Sequence, residues 1–180
     1  MDKYILAIDQ GTTSSRVIIF DNAGKIVSFH SKEFKQYFPK PGWVLHDPDE
    51  IWESVVFCID KALSKAKITI DEIAAIGITN QRETTLIWDK ATSKPLHKAI
   101  VWQSSQTKPY CDDLIDKGYQ KLFKSKTGLL INPYFSGTKI KWLLDNVKEA
   151  KQLIAEERLA FGTIDSWLIW KLSNGTYHIT

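Results

Sequence analysis

The chain has 180 residues, 43% hydrophobic and 25% charged, a composition that belongs to globular domains and excludes a disordered polymer. Its 24 Lys and Arg against 21 Asp and Glu leave a net charge of +3, and the basic residues are scattered, which argues against nucleic acid as the main partner. No apolar run is long enough to span a bilayer and the N-terminus has too short an apolar core for a signal peptide, so no membrane insertion and a cytoplasmic location are expected.

Residues 4–8 and 17–20 are short apolar, β-branched runs. Asp21-Asn22-Ala23-Gly24 is turn chemistry, and the alternating stretch KIVSFHSKEF follows it. This predicts a three-stranded antiparallel meander. In its third strand Ile26, Ser28, His30 and Lys32 share one face and Val27, Phe29 and Ser31 the other. The stretch FPKPGWVLHDPDE reads as a loop leading into a helix. Asp47 can cap, Pro48 suits the first turn, Glu50 completes a capping-box-like arrangement, and Ile51, Val55, Cys58, Ile59, Ala62 and Leu63 recur at helical spacing over residues 48–66.

EIAAIGITNQ then reads as a buried strand, TTLIWD as another, residues 90–95 as a turn-rich connection and AIVWQ as a third strand ending at Trp102. A polar helix is predicted over residues 109–124, a loop at GLLINPY, helices over 139–146 and 149–155, the strand LAFGTI, the apolar helix DSWLIWKLS and a strand-like TYHIT. A meander, a crossover helix and further alternating elements predict an α/β domain with a mixed sheet. One compact domain is the default at this length, and the uncovered final strand reads as a domain that continues beyond residue 180. Cys58 and Cys111 have no metal-binding spacing and are expected as buried thiols.

Three stretches could carry chemistry. DQGTTSSR (residues 9–16) sits between two apolar strands. A tight hairpin favours Asn-Gly or Asp-Gly and needs no run of hydroxyls. Gly11 lets the backbone approach a ligand, hydroxyls and backbone N–H groups can surround phosphate oxygens, and Asp9 is placed to hold a divalent cation. A polar hairpin bend is the equally open alternative; the Walker A order is absent. In GITNQRETTLIW, Arg82 and Glu83 can grip one small polyhydroxy compound only if the backbone departs from strand geometry between residues 80 and 83, and otherwise read as a surface ion pair. Trp102, Tyr134 and Phe135 are aromatics that can wall the carbon faces of a polyol or pack as ordinary core.

Taken together, DQGTTSSR, PGWVLHDP, GITNQRET, AIVWQ, TGLLINPYFSGTKIKWLLDN and FGTIDSWLIWKL resemble, in order and over essentially the whole chain, the FGGY family of carbohydrate kinases, most of all its glycerol-phosphorylating branch. The resemblance implies a ribonuclease-H-like (actin-like ATPase) α/β fold with a mixed sheet and flanking helices, and a second nucleotide-binding domain outside these residues. It implies ATP and Mg²⁺ as cofactors, glycerol as acceptor, and a homo-oligomer of the full-length protein. Carried over by position, Thr12, Thr13 and Ser14 contact nucleotide phosphates, Arg16 faces ADP, Asp9 helps hold Mg²⁺, and Arg82, Glu83 and Tyr134 bind glycerol with Trp102 as a wall. The family's catalytic Asp belongs to a motif later than residue 180, so these residues alone are expected to be inactive. Ser105 stands where the family usually carries Arg and offers no fork of donors. A kinase for a pentulose or another polyol, and a truncated non-catalytic interaction module, are the competing readings.

Overall fold

The computed structural model describes residues 3–180. In chain order the elements are β1 (Tyr4–Gln10), β2 (Ser14–Phe20), β3 (Ile26–Glu33), β4 (Leu45–His46), α1 (Pro48–Ala66), β5 (Ile73–Asn80), β6 (Thr85–Asp89), β7 (Lys94–Pro95), β8 (Ala99–Ile100), α2 (Lys108–Asp116), α3 (Gln120–Thr127), α4 (Ser136–Asn146), α5 (Ala150–Ala155), β9 (Leu159–Thr163) and α6 (Ile164–Leu172). They fall into two compact units. The first holds the chain up to Gln36 and Asp47–Gln81; the second holds Tyr37–His46 and Arg82–Thr180.

The first unit is a four-stranded mixed sheet in the order β3-β2-β1-β5. The predicted meander forms, with β1 antiparallel to β2 and β2 to β3. β5 lies parallel to β1, which a chain can reach only through a crossover, and α1 supplies it. Asp47 caps α1 by accepting the Asp49 N–H at 3.0 Å, with Pro48 as the first helical residue. Ile51, Val55, Cys58 and Ala62 point from α1 into a fully buried core with Leu6, Ile8, Val17 and Ile19 of β1 and β2. In β3 the face of Ser28 and His30 meets the helix: the Ser28 hydroxyl donates to the Ala62 carbonyl at 2.6 Å, and His30 stacks on Phe57. The opposite face, with Val27 and Phe29, is exposed. β5 was expected to be buried, yet Ile76 is 42% exposed and most of the strand is open. Its apolar run pairs with β1, while no described strand pairs with its other edge.

The second unit is built around β6, all five residues of which are buried. Antiparallel partners β7, β8 and β9 surround it, and β4 extends the sheet beyond β8. The segment read as a loop thus contributes β4 and a bridge between Tyr37 and Leu45. Leu45, Ile87, Ile100, Leu143, Val147 and Ala150 form the core on the side of α4 and α5. Trp88 stacks edge-on against Trp167 and also meets Trp170 and His178.

Three further expectations need correction. AIVWQ pairs only at Ala99–Ile100, because β4, its partner, is two residues long; Trp102 lies in the turn beyond. The helix expected over residues 109–124 is two helices, broken where Gly118 adopts φ +80°, a conformation that glycine takes without strain. TYHIT forms no strand; the chain enters it through a turn in which Asn174 and Gly175 both take positive φ. Both cysteines are free and buried, as expected, and burial pushes their thiols above the ordinary cysteine range.

Candidate functional site

The candidate residues divide between the two units. In the first, β1 and β2 are joined by a bend in which the Gly11 N–H donates to the Ser14 carbonyl at 2.9 Å. A side chain on Gly11 would bring a Cβ within 3.2 Å of that oxygen, so the bend is drawn tight around glycine. The Gln36 amide donates to the Thr12 carbonyl at 2.9 Å, and the Gln81 amide to Gln10 Oε1 at 2.9 Å and to the Gly11 carbonyl at 3.2 Å. These bonds hold the backbone of the bend from two sides. Thr13 is exposed and Thr12 and Ser14 are half-buried. Ser15, the fourth hydroxyl of the run, is buried instead and bonds the Ser54 hydroxyl of α1 at 2.7 Å.

Asp9 and Arg16 are exposed and directly opposite each other in the β1–β2 register. Strand alternation therefore puts them on one face, away from α1, beside the hydroxyl-bearing bend. A carboxylate, a guanidinium and hydroxyls around a glycine turn are donors and acceptors that fit a nucleotide phosphate with a hydrated Mg²⁺. Among the described residues no group of three His, Cys, Asp or Glu is arranged to hold a metal.

In the second unit the chain turns at Arg82 and Glu83 before entering β6. Glu83 takes φ +65°, a left-handed conformation that costs a non-glycine residue roughly 1–2 kcal/mol. This is the departure from strand geometry that Arg82 and Glu83 needed. Glu83 Oε2 accepts the Ser136 N–H at 2.8 Å and the Ser136 hydroxyl at 2.6 Å. The carboxylate thus sits at the N-terminus of α4, where the helix dipole favours negative charge. Arg82 is exposed. Tyr134 follows Asn132, whose side chain accepts the Tyr134 N–H at 2.8 Å; its ring lies edge-on to Trp102 at 5.8 Å and to Phe135 at 5.2 Å. The Trp102 N–H donates to the Thr84 hydroxyl at 3.3 Å. Glu83, Tyr134 and Trp102 are thereby linked through Thr84 and the start of α4.

Sequence reasoning missed Lys139. It is fully buried, and its ammonium donates to the Glu83 carbonyl at 3.0 Å and, over a short contact, to the Tyr134 carbonyl. Burial pushes its pKa down to about 8, while the Glu83 charge pulls the other way. The signal was present: Lys139 stands four and eight residues before Leu143 and Val147, which are buried on the same helix and just past its end.

Ser105 is fixed by Gly42. Its N–H donates to the Gly42 carbonyl at 2.8 Å and its hydroxyl donates to the same oxygen at 3.0 Å. Gly42 has φ +75°, and a Cβ there would fall 2.3 Å from the Ser105 hydroxyl.

A sequence profile of the FGGY family of carbohydrate kinases, N-terminal domain, matches residues 4–180. A glycerol kinase of Bacillus velezensis is 59% identical over the whole of this chain. The crystal structure of Plasmodium falciparum glycerol kinase with ADP superposes on 97% of the chain with a TM-score of 0.89 and 37% identity, using 35% of that protein. A ligand-bound xylulose kinase of Lactobacillus acidophilus covers 94% of the chain with a TM-score of 0.79 and 26% identity, using 33% of its own length. The mixed sheet with flanking helices is the actin-like ATPase fold of these kinases. The chain spans 36% of the length of the curated relative from Bacillus velezensis. Profile, relatives and fold agree that the chain belongs to the FGGY family of carbohydrate kinases.

Proposed function

We propose that these residues are the part of an ATP-dependent glycerol kinase that binds glycerol and supplies nucleotide phosphate contacts. The observation that carries the reading is the cluster of Glu83, Tyr134 and Trp102 on one irregular turn and one loop, with Arg82 exposed beside it. A three-carbon polyol offers a donor and an acceptor at each hydroxyl and a small apolar carbon surface. A carboxylate and a guanidinium suit the first, and facing rings the second. The 59% identity to a glycerol kinase favours glycerol over a pentulose.

In this reading Arg82 and Glu83 orient the glycerol hydroxyls and Tyr134 and Trp102 limit the length of the acceptor. Thr12, Thr13 and Ser14 donate to phosphate oxygens, Arg16 lies against ADP, and Asp9 holds the water shell of Mg²⁺. ATP supplies the γ-phosphoryl group and Mg²⁺ neutralises its charge when bound. Phosphoryl transfer to a terminal hydroxyl, giving sn-glycerol 3-phosphate and ADP, is then mostly a matter of positioning. No carboxylate described here is assigned as the general base: Glu83 is committed to Ser136 and to substrate, and Asp9 to the metal. That base is expected outside residues 1–180.

No helix of the described residues is long and apolar enough to cross a membrane, and we propose a cytoplasmic kinase that works as a homo-oligomer at full length. The test is an NMR titration of the chain with glycerol, xylulose and ribitol, beside Arg82→Ala and Glu83→Ala. Glycerol is expected to shift the Tyr134 and Trp102 ring signals and both variants to abolish the shift. A response to xylulose in place of glycerol would favour the pentulose reading. A coupled ADP-release assay with MgATP and glycerol is expected to show no turnover by these residues alone; turnover lost in Glu83→Ala would put the base among them and overturn the assignment.

A further inference from the structure

We propose that Lys139 and Ser136 are positioning residues for the polyol site, fixing Glu83 so that one carboxylate oxygen is spent on the start of α4 and the other, Oε1, is presented as an acceptor to a substrate hydroxyl. The proposal rests on the assignment of Glu83 to substrate made above.

Ser136 is the first residue of α4 and offers two donors, its N–H and its hydroxyl, both to Glu83 Oε2. Two donors on one oxygen fix the carboxylate plane and leave the partner oxygen uncommitted. Lys139 secures the backbone on which this carboxylate and the Tyr134 ring are carried. Its ammonium bridges the carbonyls of Glu83 and Tyr134, residues 51 positions apart in the chain. One side chain therefore sets the spacing of two substrate-contacting residues.

Such a lysine is costly to keep. It is fully buried, and it lies in the first turn of a helix, the end at which the dipole opposes a cation. An apolar side chain would fill the same space without either penalty. What the ammonium adds is a pair of donors aimed at two carbonyls, together with a charge that offsets Glu83. The left-handed backbone of Glu83 also needs outside support, because nothing in its own conformational preference favours it.

The carboxylate chemistry has a direct consequence. In Glu83→Gln the side-chain oxygen must turn toward Ser136, since an NH₂ group there would meet two donors. The NH₂ then replaces Oε1 and presents a donor where the substrate meets an acceptor.

The test is amide hydrogen exchange and glycerol titration by NMR on the chain and on Lys139→Met, Ser136→Ala and Glu83→Gln. Lys139→Met is expected to speed exchange of the Ser136 amide by about tenfold or more, the scale of a lost charged hydrogen bond, with the Leu86 and Ile87 amides of β6 unchanged. Glu83→Gln is expected to keep Ser136 protected while weakening glycerol binding by a similar factor. Wild-type Ser136 exchange and unaltered glycerol affinity in Lys139→Met would reduce Lys139 to core filling and overturn the proposal. If Lys139→Met loses β6 protection and so unfolds, Ser136→Ala decides. Its expected effect is faster exchange of the amide at position 136 and weaker glycerol binding, both restored in Ser136→Thr; an amide at position 136 that exchanges at the wild-type rate overturns the proposal. A wild-type chain that ignores glycerol while Lys139→Met still frees Ser136 would uphold the positioning of Glu83 and overturn the glycerol assignment instead.

Discussion

Arg158 closes on Asp89 with two hydrogen bonds, Nη2 to Oδ2 at 2.6 Å and Nε to Oδ1 at 3.1 Å, and so joins the start of β9 to the end of β6. The same carboxylate accepts the Ala91 N–H at 2.9 Å and the Thr92 hydroxyl at 2.8 Å. The guanidinium, with these further donors, holds the Asp89 carboxyl down at about 2. The folded state therefore binds fewer protons than the unfolded chain between that value and the ordinary aspartate range near 4. Stability from this pair is fully present above about pH 4 and is lost as pH falls through about 2. Melting temperature followed from pH 5 to pH 2 should drop less steeply in Asp89→Asn than in the wild type.

Lys139 predicts a trend of the same sign at the alkaline end, where stability again rises with pH. Its pKa of about 8 lies below the ordinary lysine value of 10.5, so the unfolded chain binds the extra proton between the two. Keeping the charged form buried costs stability below about pH 8, and that cost is relieved as pH rises toward 10.5. The difference in unfolding free energy between wild type and Lys139→Met, measured in urea at pH 7.5 and 9.5, should shift in favour of the wild type at the higher pH.

Gly162 is expected to resist substitution for lack of room. A Cβ there would stand 2.4 Å from Ser166 Cβ and 3.4 Å from the Trp88 ring, so β9 lies directly against the first turn of α6. Gly162→Ala should cost about 1–3 kcal/mol by overpacking, read from urea denaturation. Adding Ser166→Gly should recover part of that loss.

The buried serine pair of the first unit should respond asymmetrically. Ser54 donates to the Ile51 carbonyl at 2.7 Å, so the proton in its bond with Ser15 comes from Ser15. Ser54→Ala leaves the buried Ser15 donor without its acceptor and should cost about 1–3 kcal/mol. Ser15→Ala leaves Ser54 bonded to Ile51 and should cost about 1 kcal/mol or less. The double variant should be no worse than Ser54→Ala alone.

The meander and α1 were legible because periodicity, turn residues and an Asp-Pro cap all agreed there. The break between α2 and α3 was not, since the helical period runs on across Gly118 and only its positive φ ends the helix. β5 shows a different limit: a continuous apolar run reports what a strand is able to bury, and Ile76 remains open in the structure. At the site, the need for irregular backbone at Arg82 and Glu83 followed from strand alternation alone, and the φ of Glu83 meets it. Lys139 escaped because a lysine between Thr138 and Ile140 reads as a solvated helix position. The two carbonyls that hold it come from residues 83 and 134, far from it or from each other in sequence.

The excursion of Tyr37–His46 out of the first unit has a consequence for the order of folding. All strands of the first unit, and the helix that covers them, have been synthesised once Gln81 is made, and its longest pairing, β1 with β5 from Tyr4 beside Ile73 to Gln10 beside Asn80, can close from that point on. β4 is synthesised before α1 but, beyond its bridge to Tyr37, has no strand to pair with until Ala99–Ile100 appears, and β6 lacks β9 until Thr163. Domains fold as units during synthesis, and pairings distant in sequence close late. The first unit is thus fully synthesised while the second still waits, with the ten-residue segment Tyr37–His46 held in reserve for it.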